Sequence, residues 1–154
     1  MDADEPLRLD RQICFLFYAA SRAVTQLYQP LLAPLGITYP QYLVMLVLWE
    51  EGKVSVGRLC DRLYLDSGTL TPLLKRLEAA GLLRRERSPS DARVVDIELT
   101  SAGKRLKRSA ASVPQALACR VGLGAEELAR VHRQLARLLE VMRGQVRAGE
   151  EKAS

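Results

Sequence analysis

Histidine is almost missing from this chain of 154 residues, with His132 the single example. That scarcity argues against a His-rich zinc site and a Ser-His-Asp apparatus, so no metal, no cofactor and no enzymatic activity are expected. Cysteine is scarce too. Three of them cannot all pair within one chain, which excludes a disulfide framework and leaves thiols available for reactive or regulatory chemistry in a reducing compartment. Long apolar runs are also lacking: the longest, Tyr42 to Trp49, is far too short to span a bilayer, so no membrane partner is expected. Met1 to Asp10 is acidic, without a basic or an apolar leader segment, so no secretory signal is expected and the cytoplasm is the expected location. What is present, 48% hydrophobic and 27% charged residues, suits a single globular domain able to bury its own core.

The net charge of +5 is localised. Between Lys75 and Arg108, ten Lys and Arg face five acids, whereas the thirteen other cations are matched by thirteen acids. The whole excess therefore sits in about a fifth of the chain, as a footprint for a polyanion requires. A solvated basic surface without a partner has the same composition.

Apolar periodicity organises the chain. Leu9, Ile13, Leu16, Ala20, Val24, Leu27 and Leu31 recur every three or four residues and predict a long first helix ending before Pro34 and Gly36. Thr38 is positioned to cap the next, which Gly52 ends, and Ser55 to cap a short helix through Leu63. A further helix packs through Leu70, Leu73 or Leu74, and Leu77, stopping at Gly81; its start is open, since Pro72 could make the first turn irregular with Thr71 as cap. Leu83 to Arg87 and the alternating Val95, Ile97 and Leu99 flank turn chemistry at Pro89, Ser90 and Asp91, which predicts a hairpin. Thr100 then caps a helix bearing Ala102, Leu106, Val113 and Leu117, kinked or broken near Pro114. Leu128, Val131, Leu135, Leu138, Met142 and Val146 mark a final amphipathic helix.

The expected fold is mainly α with a small β-wing. A winged helix-turn-helix over residues 38–100 is flanked by dimerisation helices, residues 1–35 and 101–148, within one domain spanning 1–154. The outer helices carry apolar stripes that need cover, either from the winged unit itself or from a second chain, which would supply the two-fold axis of a palindromic site.

Ser55 to Leu83, followed by Arg84, Arg85, Ser90-Asp91-Ala92-Arg93 and Leu99-Thr100-Ser101-Ala102-Gly103, resembles the MarR family of winged-helix regulators over nearly the full length. Asp10 to Phe15 with Tyr18, Tyr28 and Tyr39 resembles its organic hydroperoxide sensors of the OhrR type. The resemblance implies that Cys14 is the peroxide-reactive thiol, that Tyr18, Tyr28 and Tyr39 hold it, and that Cys119 is a resolving thiol in an intersubunit disulfide. It implies a homodimeric repressor that binds a pseudo-palindromic double-stranded operator and releases it when an organic hydroperoxide oxidises Cys14.

The residues bear on that chemistry directly. A peroxide is attacked by thiolate, and phenolic hydroxyls can donate to it without competing as nucleophiles. Tyr18 lies four residues after Cys14, on one helical face. Tyr28, fourteen residues on, stands about 21 Å away along a straight helix, so any service to Cys14, like that of Tyr39, must come from a partner chain. By spacing alone, ordinary packing roles are the favoured reading of Cys14, Cys119 and the tyrosines, which the resemblance reverses, and Cys60, beside Leu59 and Leu63, reads as structural.

For DNA, Ser67, Thr69, Lys75 and Arg76 are the outward positions of the second short helix. Arg93, oriented by Asp91, is the minor-groove candidate, and Arg85 and Arg87 are phosphate contacts. Lys104 to Arg108 could flank the duplex or form a wet helix face. Two other functions fit parts of the pattern. A regulator of the same family could answer to a small aromatic ligand, and a thiol peroxidase would use both cysteines but have no need of the basic segment.

Overall fold

The computed structural model describes residues 7–153, with side chains through residue 149. The first six residues of the acidic Met1–Asp10 stretch, and of the region expected to join the first helix, therefore lie outside the described residues. The chain forms two compact units that part between Leu117 and Ala118.

In the first unit, a 3-10 turn at Leu9–Arg11 precedes α1 (Ile13–Leu32), which runs into a second such turn at Ala33–Leu35. Leu9 thus sits ahead of the helix its side chain was expected to extend. Gly36 ends this segment with φ of +69°, a left-handed conformation that costs glycine little. Helix α2 (Tyr39–Glu51) begins where Gln41 Oε1 accepts the Thr38 N–H at 2.8 Å. It is apolar nearly all round, and Tyr42, Val44, Met45, Val47 and Leu48 are buried accordingly.

Strand β1 (Val54–Ser55) leads into α3 (Val56–Leu63), whose first turn is closed by Ser55 Oγ accepting the Arg58 N–H. Tyr64, at φ +57°, turns the chain toward α4 (Ser67–Ala79). The cap of α4 is Asp66, not Thr71: its carboxylate accepts the Thr69 N–H and hydroxyl, both at 2.8 Å. Two first-turn donors are satisfied there, so the helix starts five residues before the Thr71 alternative. Pro72 lies inside α4, and the Thr71 hydroxyl donates back to the Ser67 carbonyl.

Strands β2 (Leu83–Arg87) and β3 (Val95–Leu99) form the expected hairpin, with Leu83 opposite Leu99 and Arg85 opposite Ile97. Strand β1 adds a third strand through Val54 opposite Ile97, in the antiparallel order β1-β3-β2. The hairpin's inner residues join Leu59, Leu70, Leu74 and Leu77 in one core. Helix α5 (Ser101–Ala110) is separated from α6 (Val113–Val121), confirming the break beside Pro114. Thr100 Oγ1 accepts the Gly103 N–H at 3.1 Å and donates to the Gly81 carbonyl at 2.6 Å, fastening α5 to the exit of α4. Thr100→Ala is expected to lower stability by about 1–2 kcal/mol, read as a lower urea midpoint with an unchanged slope.

The second unit is dominated by α7 (Ala125–Ala153). Most of its stripe is uncovered: Val131, Leu135, Met142 and Val146 are exposed, as are Leu139 and Val141, while Leu128 and Leu138 are half-buried. In the first unit the outer face of α1 is likewise exposed at Ile13, Leu16 and Tyr18, while Leu32 is buried. Among the described residues no single helix is long and apolar enough to cross a membrane.

Candidate DNA interface and sulfur site

Helix α4 buries Leu70, Leu74 and Leu77 and half-buries Leu73, so both leucines of the Leu73/Leu74 alternative face the core. Helical periodicity then turns Ser67, Thr69, Lys75 and Arg76 outward, where all four are exposed. Among the described residues Lys75 and Arg76 have no ion-pair partner, which leaves two full positive charges on that face. The Thr69 hydroxyl hydrogen is committed to Asp66, so this side chain offers lone pairs outward.

The hairpin tip is ordered by its own side chains. Asp91 accepts the Arg93 backbone N–H at 3.0 Å and both Nε and Nη2 of Arg93 at 3.1 Å. Those bonds hold the Asp91 carboxyl below its ordinary range, with the side-chain bond the largest cause and the backbone bond next. The Arg93 side chain nevertheless stays 90% exposed, a charge braced outward at the turn. Arg87 Nη1 donates to the Ala92 carbonyl across the turn.

Elsewhere the basic segment is partly neutralised. Arg84 bonds Glu98 at 2.8 Å, and Arg85 bonds Glu78 through Nη2 at 2.7 Å and Nε at 2.8 Å. Arg85, expected as a phosphate contact, is half-buried and anchored from behind. Lys107 in α5 donates to the Trp49 carbonyl at 3.0 Å.

Cys14, in the first turn of α1, and Cys119, in α6, are both exposed, while Cys60 is half-buried against the core. Tyr18, one turn after Cys14, is exposed, with the Arg22 guanidinium 5.7 Å from its ring centroid. Tyr28 and Tyr39 are brought together within one chain: their rings stack at 4.4 Å, and Tyr42 adjoins Tyr28 at 5.7 Å. Burial raises the Tyr28 pKa to about 12, with Tyr39 and Tyr42 adding to it, and burial raises Tyr39 as well. Both phenols consequently keep their protons, and remain donors, throughout the range in which a thiol ionises.

Three features escaped the sequence reading: strand β1, the Glu78 anchor, and an indole bond from Trp49 Nε1 to the Gly103 carbonyl at 2.9 Å. Only Glu78 left a trace, as the single acid of α4. Among the described residues no group of three or more His, Cys, Asp or Glu could hold a metal.

A short helix pair presenting cations, followed by an ordered basic hairpin on a three-stranded sheet, defines a winged helix-turn-helix DNA-binding protein. The MarR family model matches residues 37–95. The organic hydroperoxide resistance transcriptional regulator of Bacillus subtilis is 46% identical over 136 residues, covering 88% of this chain and 92% of that one. AbfR of Staphylococcus epidermidis is similar in four solved structures, three of them in stated oxidation states. Reduced AbfR bound to DNA matches at TM-score 0.72 and 40% identity, over 90% of this chain and 96% of that one. Overoxidised AbfR bound to DNA matches at 0.72 and 39%, over 90% and 98%. Disulfide-formed AbfR matches at 0.61 and 39%, over 90% and 94%. The chain belongs to the MarR family, whose members here are transcriptional regulators rather than enzymes.

Proposed function

We propose that this regulator is a homodimeric repressor that senses organic hydroperoxides through Cys14. The observation carrying the reading is an exposed thiol, beside the exposed Ile13, Leu16 and Tyr18 at the start of α1, in a chain built around a DNA-reading unit. Similarity to a regulator named for organic hydroperoxide resistance supports the class of oxidant. The uncovered apolar faces of α1 and α7, each within its own unit, are the surfaces a second copy would cover. Ser67, Thr69, Lys75 and Arg76 then read the major groove, Arg93 braced by Asp91 enters the minor groove, and Arg85 and Arg87 face phosphates.

The chemistry balances with the peroxide as oxidant. The Cys14 thiolate attacks one peroxide oxygen, the O–O bond breaks, and the departing alkoxide takes a proton to leave as an alcohol. Cys14 is then a sulfenic acid. Cys119 of a second copy attacks that sulfur, the hydroxyl leaves as water, and a disulfide forms, which a dithiol reverses. Tyr28 and Tyr39 are already a stacked pair of donors, and a partner's Cys14 is the sulfur they can serve. Because AbfR is described on DNA both reduced and overoxidised, the disulfide is the step to which we assign release.

The test needs only the wild-type protein and a duplex it selects from a random pool. Near-stoichiometric cumene hydroperoxide should free the duplex, and dithiothreitol should restore the complex. Retention of the duplex throughout would refute the reading. A second reading has one observation in its favour, a cavity of 490 Å³ beside α1 and α2 lined by Thr25, Gln29, Leu32, Ile37 and Tyr39. A small aromatic ligand housed there would raise the melting temperature and release DNA without any change in the mass of Cys14.

A further inference from the structure

We infer that Glu78 is a positioning residue for DNA readout, setting the angle between the reading helix α4 and the wing; this rests on the proposed role of those two elements. Its carboxylate makes three bonds to one residue of β2. Oε1 accepts the Arg85 backbone N–H at 3.1 Å, and Oε2 accepts Nε at 2.8 Å and Nη2 at 2.7 Å. These bonds lower the Glu78 pKa, the Arg85 side-chain bond most of all, so the clamp is ionised and intact at neutral pH.

What the clamp restrains follows from the backbone. Between α4 and β2 the chain passes through Gly81 at φ +71°, where the Gly81 N–H bonds the Glu78 carbonyl, the Leu82 N–H bonds the Leu77 carbonyl, and Thr100 donates to the Gly81 and Leu82 carbonyls. Those bonds, like the pairing of β1 with Ile97 and Asp96, hold the inner part of the wing and act far from its tip. Glu78 grips β2 four residues beyond Gly81, where leverage is greater. From Arg85 to the turn at Ser90 is about 16 Å of extended chain. A 10° rotation there would move the tip by about 3 Å, close to one base-pair step of about 3.4 Å. Arg93 would then meet a different step while α4 stayed in register.

Arg85 gains a role by the same contact. Nε and one Nη2 hydrogen face Glu78, leaving the Nη1 hydrogens outside that pair, and Arg85 lines a groove of 430 Å³ with Ser55, Gly57, Thr71 and Arg93. A guanidinium fixed in advance meets a phosphate without the cost of ordering a long side chain.

The experiment compares affinity for the duplex selected by wild type with affinity for a scrambled duplex of equal composition, by fluorescence anisotropy. Glu78→Ala should weaken the selected complex about tenfold and leave the scrambled one within about twofold, because phosphate attraction survives a tilted wing. Glu78→Gln, which keeps one acceptor for the backbone N–H, should fall between and guards against loss of folding in the alanine variant. An unchanged ratio between the two duplexes, or equal losses on both, would overturn the inference. Arg93→Ala run in parallel separates the layers: if it too leaves the selected complex intact, the wing reading beneath has failed rather than the clamp.

Discussion

Gly103→Ala is expected to lower stability by about 3 kcal/mol, a melting temperature roughly 6–12 °C below wild type. A β-carbon at this position would collide with the Leu82 carbonyl oxygen and press on Leu99 Cδ2. Nothing nearby can yield, because the same carbonyl accepts the Thr100 N–H at 3.1 Å and the Gly103 carbonyl is held by the Trp49 indole at 2.9 Å. The backbone is pinned on both sides, so the strain spreads into the α2, α5 and sheet junction rather than into a movable side chain. Trp49, the single tryptophan, reports on the same event by a shift of its emission as the indole bond is lost. Gly144→Ala is the contrast: it lies inside α7 with nothing within 4 Å, and should raise stability by about 0.5–1 kcal/mol. Equal melting temperatures for Gly103→Ala and wild type would show that α5 does not approach Leu82 this closely.

Cys14→Ser is expected to abolish the response to organic hydroperoxide altogether while leaving reduced-state affinity for the selected duplex unchanged. A hydroxyl at this position cannot take the peroxide oxygen, so no oxidised species forms at any dose that empties the wild-type complex. Persistent release from the serine variant would move sensing to another residue, with Cys119 and Cys60 the remaining thiols. Cys119→Ser gives the complementary outcome: mass spectrometry should find Cys14 oxidised but no disulfide, and the duplex should stay bound. Normal, reversible release by that variant would remove Cys119 from the mechanism.

Much of the wing chemistry was legible because it is local. Asp91 and Arg93 are two residues apart, and so short a span, once closed by a turn, leaves the carboxylate little choice but to bond its neighbour. Thr38, Ser55 and Thr100 could be recognised as caps for the same reason, since a cap acts on donors two or three residues ahead. The start of α4 was open because Pro72 pointed to Thr71 as cap, and only the folded chain shows that Asp66 meets the first donors. Arg85 looked like any exposed cation of a charged strand until the turn at Gly81 brought Glu78 against it.

The amino-acid order by itself determined the sequence of helices, the hairpin, the concentration of charge between Lys75 and Arg108, and the separation of Cys14 from Tyr28 along one helix. These follow from periodicity, turn preference and rise per residue, which act within a few residues. Tertiary structure alone decided that β1 pairs with β3, that Tyr28 stacks on Tyr39, that Trp49 reaches Gly103, and which arginines keep their charge unpaired by acids. Each of those depends on groups distant in the chain meeting at van der Waals or hydrogen-bond range, a condition set by how the core closes and not by any neighbouring residue.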